Sequence, residues 1–243
     1  MRHTPHYVQK GFISMCCDIT NPEAIKPFIY DCLKRHKRRK DFRKMIFQKG
    51  FTIDEYNKLK ENDPATIDKI LSMLSKEMTE EIKNRSIKPF AVTAKERFDS
   101  SSGKVRLIGK EKPIQRLYDY VAVRACENLW HRRLVVQQCS SIKDRGQVYG
   151  MRLIKQYMDQ DERAASYAKI HKLRYTRKCR YYVKMDIRHC FQSIDRELLL
   201  SLMKRDLEKE ENGAHIIYLW SMLLDSYKRA DIDGLMIGSL PSQ

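Results

Sequence analysis

The chain lacks any uninterrupted apolar run of about 18 residues, which excludes an ordinary membrane-spanning helix. Its opening residues, Met1 to Cys17, carry scattered charges and no apolar stretch, so no secretory leader is expected. The seven cysteines are odd in number and contain no Cys-x-x-Cys pair, which argues against a zinc site or a disulfide framework and for a reducing cytoplasmic setting. There is no internal repeat and no low-complexity linker. Acidic residues are scarce relative to basic ones: 31 Asp and Glu face 48 Lys and Arg, a formal charge of +17 with a pI near 9.6. Such an excess favours a polyanionic partner, with nucleic acid ahead of an anionic membrane surface. Charge alone says nothing of catalysis, since scaffold proteins are as basic. What is present, 42% hydrophobic and 33% charged residues, is a globular composition rather than a disordered one.

Asn21-Pro22-Glu23 reads as a helix start, and the helical stretch behind it becomes very basic. From Lys34 to Lys44 the cations Lys34, Arg35, Lys37, Arg38, Arg39, Lys40, Arg43 and Lys44 meet only Asp41. Such a run repels itself unless it is solvated or laid against phosphates, so it is a candidate RNA contact beside the plainer reading of a solvated face. Asp63-Pro64 caps a second helix, in which Ile67, Ile70, Leu71, Leu74, Met78 and Ile82 recur at helical spacing as core. Phe90 to Thr93 and Val105 to Ile108 read as strands around the turn-rich residues 99–103. That hairpin would display Lys95, Arg97, Lys104 and Arg106. A helix is expected from Pro113 to about Leu134, and two more near 147–160 and 162–177, the last with a basic end at Arg174, Arg177, Lys178 and Arg180.

Tyr181 to Ile187 alternates as a strand, with Val183, Met185 and Ile187 on one face and Tyr182, Lys184 and Asp186 on the other. Burying a carboxylate at the end of such a strand is costly unless it is paired or holds a metal. A helix follows near Asp195. Strand, carboxylate, tight connection and helix together place an aspartate where it can hold a metal beside a phosphate. In isolation a capping or salt-bridged aspartate explains the same residues.

The closing segment, Gly234-Leu235-Met236-Ile237-Gly238-Ser239-Leu240-Pro241-Ser242-Gln243, together with Lys184 to Ile194, resembles reverse transcriptases of the bacterial retroelement and group II intron type. The first palm motif of that family, an aspartate and an aliphatic residue followed by an aromatic and Ser-Ile, appears as Asp186-Ile187, Phe191 and Ser193-Ile194. Its next motif, Gly-Leu-Pro-Ile-Gly with a following Ser-Gln, appears with Met236 in place of the proline. Lys104 to Ile108 resembles the family's finger hairpin, and Ser140-Ser141-Ile142 with Arg145-Gly146 resembles its next block. The likeness runs from about Lys88 to the end. Residues 1–87 carry little of it.

The resemblance implies an α+β right-hand polymerase with mostly helical fingers, a β-hairpin and an incomplete palm. Its divisions would be a basic helical region at 1–87, fingers at 88–178 and partial palm at 179–243. It implies RNA-templated DNA synthesis with Mg²⁺ held by Asp186 and by the main-chain carbonyl of Ile187. Lys95, Lys104 and Arg106 would hold the incoming triphosphate, and Phe191 would exclude a 2′-hydroxyl. Gln243 would touch nucleotide and template. Partners would be an RNA template and primer, deoxynucleoside triphosphates and a structured intron or non-coding RNA, contacted through Lys34, Arg35, Lys37, Arg38, Arg39, Lys40, Arg145 and Gly146. A membrane is not expected, and an exposed palm edge would favour self-association. One aspartate is too few for two Mg²⁺ ions. The family's Tyr-x-Asp-Asp motif and thumb are therefore expected beyond Gln243, and the chain by itself is not expected to polymerise. A non-catalytic RNA-binding protein is the alternative, and an RNA-templated RNA polymerase a second.

Overall fold

Helix starts in this protein follow their sequence signals closely. In the computed structural model, which describes residues 14–242 apart from 101, 102 and 143, α1 (Pro22–His36) opens at Asn21, whose side chain accepts from Glu23 N–H. Helix α4 (Pro64–Lys83) opens at Asp63, whose carboxylate accepts from Thr66 N–H at 2.8 Å. Between them lie α2 (Lys40–Gln48) and α3 (Ile53–Glu61), the latter closed by a reciprocal Thr52–Glu55 capping box. Each cap satisfies amide groups that a helix leaves without internal partners.

Strands β1 (Val92–Asp99) and β2 (Lys104–Glu111) pair antiparallel, and they are the whole of the sheet among the described residues. The remaining elements are α5 (Pro113–Ala125), α6 (Glu127–His131), α7 (Gln147–Ile170), α8 (Arg196–Leu207) and α9 (Gly213–Arg229). The chain is thus a mixed α/β protein, mostly helical. None of its described helices is long and apolar enough to cross a membrane.

Contacts divide the chain into two units: one runs up to Leu129 and resumes at Cys190, and the other is Trp130–His189. In the first, α1 packs on α4 and α5, while α9 packs on α4, α5 and α8. Ile25, Ile29, Ile70, Leu74, Met78, Leu117, Val121, Ile216, Leu219 and Leu223 make this interior, each fully or almost fully buried. Apolar burial at about 25 cal/mol per Å² is what holds these helices together. The expected stripe of α4 is thus core, although Ile67 is only half-buried. These units break the chain at other points than 87 and 178.

Three sequence expectations are corrected. The helix after Pro113 ends at Cys126 and gives way to the separate α6. The two helices expected near 147–160 and 162–177 are one, because no glycine or proline interrupts Met151 to Ile170. It stops when Lys172 takes a left-handed conformation (φ 52°) and Leu173 N–H turns back to Ala168 C=O at 2.8 Å. Finally, residues 181–187 form no strand. A strand needs a hydrogen-bonded neighbour, and among the described residues β1 and β2 pair only with each other.

Candidate nucleotide and nucleic-acid interface

The hairpin register decides which cations share a surface. Arg97 pairs with Arg106, Lys95 with Ile108, Thr93 with Lys110 and Asp99 with Lys104. Side chains alternate along a strand, so positions 95, 97, 104, 106 and 110 fall on one face. The sequence-derived set of Lys95, Lys104 and Arg106 is therefore brought together, and Arg97 and Lys110 join it. Lys104 is described by its backbone alone. Like charges directly opposite repel. Asp99 relieves the Arg97–Arg106 pair by taking Arg106 Nε at 3.1 Å. The other face shows Phe98, Val105 and Leu107, all exposed.

Three motifs far apart in sequence meet in this unit. The Phe191 carbonyl accepts from Leu235 N–H at 2.8 Å. Gly234 lies at φ 58°, and a β-carbon there would strike the Phe191 carbonyl oxygen and the Gln192 carbonyl. Glycine is required at 234 on both counts. Arg196 fastens the same corner by donating to the carbonyls of Ile232 and Gly234. Phe191 itself is half-buried against a cluster of Leu224, Tyr227, Ile232, Leu235 and Met236.

The second contact joins the Gly-rich segment to β2. A β-carbon at Gly109 would fall on the sulfur of Met236, so the bare backbone of the hairpin makes room for that side chain. Next to it, a β-carbon at Gly238 would reach Ile108 Cγ2 at 3.8 Å, an ordinary contact. Gln243 lies outside the described residues.

Beneath the hairpin sits a polar cluster that sequence reasoning missed. Glu111 ends β2 and is buried, and Arg116 of α5 donates to its Oε2. Asp119 of α5 is 0% exposed, and neither of its oxygens accepts a hydrogen bond from a fixed donor. Glu111 Oε1, Gln115 Oε1, Arg116 Nε and Tyr227 Oη are also buried without partners. Burial, then the Glu111 charge, pushes the Asp119 carboxyl well above the usual range, and burial also raises Glu111 against the pull of Arg116. The cluster thus holds two buried carboxyls beside one guanidinium, and both carboxyls are raised toward their neutral forms. No motif marks this pair. The only signal was three ionisable residues, 111, 116 and 119, packed around a helix start.

Asp186 and Ile187 belong to the other unit. Residues 181–190 are all exposed, with Asp186 in an extended segment lacking a ladder. No group of three or more His, Cys, Asp or Glu side chains suited to a metal occurs among the described residues. Mg²⁺ takes near-octahedral oxygen coordination, with one or two carboxylates beside waters and substrate phosphates. Asp186 belongs to no such group among the described residues.

The basic run is only partly free. Lys37 is 8% exposed, and its ammonium donates to Leu59 C=O at 2.9 Å and Asn62 Oδ1 at 2.6 Å, closing the end of α3. Its place among RNA contacts is therefore withdrawn: a buried donor that satisfies a helix end cannot reach a phosphate. Arg39 clamps Asp41 through two hydrogen bonds, and Arg35 reaches Asp31 at 3.2 Å. Lys34, Arg38, Lys40 and Lys44 are exposed and make no ion pair among the described residues. In the other unit Arg145 donates to Val135 C=O and Gln138 C=O and lies over the Tyr149 ring, so much of its guanidinium holds a loop. Gly146 precedes α7 in an extended conformation.

Taken together the fold and site define a mostly helical α/β protein with a cationic two-stranded flap buttressed by a glycine-rich segment. No protein-family model matches the chain, and no curated protein matches it.

Proposed function

We propose that this chain is the fingers and first palm segment of a reverse-transcriptase-type polymerase, which copies RNA into DNA when the rest of its catalytic carboxylates are present. The observation that supports this best is the meeting of three separated motifs: β2 of the flap, the Phe191 turn and Gly234 to Ser239. A generic RNA-binding protein has no need for that assembly. In this reading the cations on one hairpin face gather the triphosphate of the incoming nucleotide, where fixed positive charge offsets charge on the phosphates. The half-buried Phe191 ring is held by the Leu235–Met236 cluster and leaves no room for a 2′-hydroxyl. Asp186 is one of the carboxylates that this reaction requires.

The test is primer extension on an RNA template by the full product of the gene. Incorporation of deoxynucleotides that Asp186→Ala abolishes, with folding intact, supports the reading. A folded full-length protein that binds template and primer but never extends them overturns it. A second reading, a non-catalytic RNA-binding protein, rests on the formal charge of +17 and predicts that second result.

A further inference from the structure

The end of α7 and the chain behind it carry a feature that the polymerase reading does not use. Residues 171–184 contain six lysines and arginines, three tyrosines and no acid. The segment is nonetheless held in place. After the turn at Lys172 it doubles back along α7 and docks on Asp161, a buried carboxylate of that helix. Asp161 accepts from Tyr175 O–H at 2.7 Å, from Lys178 N–H at 2.8 Å and from Cys179 N–H at 3.2 Å. A single acid therefore binds backbone and a phenol, leaving the cationic side chains outward.

Arg177 reaches Glu162 at 2.9 Å, whereas Lys172, Arg174, Lys178, Arg180 and Lys184 are exposed without an ion pair among the described residues. Tyr181 and Tyr182 are 86% and 83% exposed, and the Arg180 guanidinium lies 5.8 Å from the Tyr181 ring. Two aromatic rings in water beside uncompensated cations, on a backbone fastened at one point, is an arrangement that phosphates and unpaired bases complete. Phosphates take the cations and bases stack on the rings.

We propose that residues 172–184 form a binding platform for single-stranded nucleic acid, with Tyr181 and Tyr182 stacking bases and Arg174, Arg180 and Lys184 contacting the backbone. A duplex offers the charge without free base faces, so it suits the platform less well. An anionic lipid surface would meet the cations but has no bases to stack.

The experiment titrates the chain with a labelled single-stranded RNA of about 12 nucleotides, its duplex and anionic phospholipid vesicles, without nucleotide or magnesium. A failure of polymerisation therefore leaves this result untouched. Tyr181→Ala/Tyr182→Ala is expected to weaken single-strand binding roughly tenfold or more. Arg174→Gln/Arg180→Gln/Lys184→Gln is expected to lower the slope of log affinity against log salt by about 2. Both variants change exposed side chains, and an unchanged melting curve verifies the fold. Single-strand affinity that stays within about twofold in the tyrosine variant overturns the proposal. So does duplex binding equal to single-strand binding, or vesicle binding lost in both variants while RNA binding persists.

Discussion

Two basic stretches, residues 34–44 and the less dense 171–184, are handled in opposite ways. In the first, Phe42, Met45 and Ile46 recur at helical spacing and draw the run into the core. Its cations then meet structural duties: Lys37 closes α3, Arg39 holds Asp41, and Arg43 lies over Phe47 and Tyr56 at 5.3 and 5.8 Å. The second has no helical apolar stripe. Of the acids that α7 supplies, Asp161 binds main-chain amides and the Tyr175 hydroxyl rather than cations, and Glu162 takes Arg177. Charge density read from sequence counts cations; the apolar residues between them decide how many remain available.

The sharpest way to break this contrast is Lys37→Met. Removing the ammonium takes one of two donors from the Leu59 carbonyl, which keeps Asn62 N–H, and the donor from Asn62 Oδ1, a loss of about 2 kcal/mol for two charge-assisted bonds. Expected is a lower urea midpoint of unfolding with RNA affinity unchanged. An RNA affinity that falls with stability intact would return Lys37 to the binding surface.

Buried charge of the other sign gives the next largest effect. Asp119 has a raised value in the fold, so below about pH 4 it is protonated in both folded and unfolded chains and imposes no penalty. As pH rises the unfolded chain ionises first, and stability falls until the folded carboxyl also ionises. Asp119→Asn keeps the shape of the side chain, cannot ionise and so removes that loss. It should raise stability at pH 7 by about 1 kcal/mol, with the gain shrinking toward pH 4. A decrease in stability at pH 7 would mean that Asp119 is ionised and paired.

Much of the helical frame was legible because its signals are local. Asn21, Asp63 and Asp195 each cap the helix that their sequence position announces. The flap was legible from alternation and its turn, although both strands run longer than the readable apolar centres. Helix α9 was passed over, even though Ile216, Leu219, Leu223 and Tyr227 make it a central wall of the first unit. Its apolar spacing is local, but what it packs against is not. Long-range relations were not legible at all. No local pattern announces that Gly109 yields space to Met236, or that Glu111, Arg116 and Asp119 are buried in one cluster. The 181–187 segment is the reverse case: its alternation is real, but pattern cannot supply a neighbouring strand.

A smaller effect separates the free cations of the first stretch from its engaged ones. Lys34→Gln/Arg38→Gln/Lys40→Gln/Lys44→Gln should lower the salt slope of single-strand binding by about 0.7 for each residue that contacts phosphate. The corresponding change at Arg35 and Arg39, which are engaged with Asp31 and Asp41, should shift it less. Equal slopes for the two sets would remove the distinction between free and engaged charge in this helix pair.

The most local effect concerns the fastening of the second stretch. The Lys178 N–H, the Tyr175 hydroxyl and the Cys179 N–H hold the Asp161 carboxyl below its usual range. A depressed value means that docking is fully present above about pH 4 and is lost only as pH falls through the lower folded value. The amides of Lys178 and Cys179 should therefore exchange slowly with solvent at neutral pH and remain protected somewhat below pH 4. Asp161→Ala should release both amides while leaving those inside α4 unchanged, and amide exchange read residue by residue measures each. If both amides exchange freely in the unaltered chain, the loop is not docked, and the rings and cations behind it are not presented on a fixed backbone.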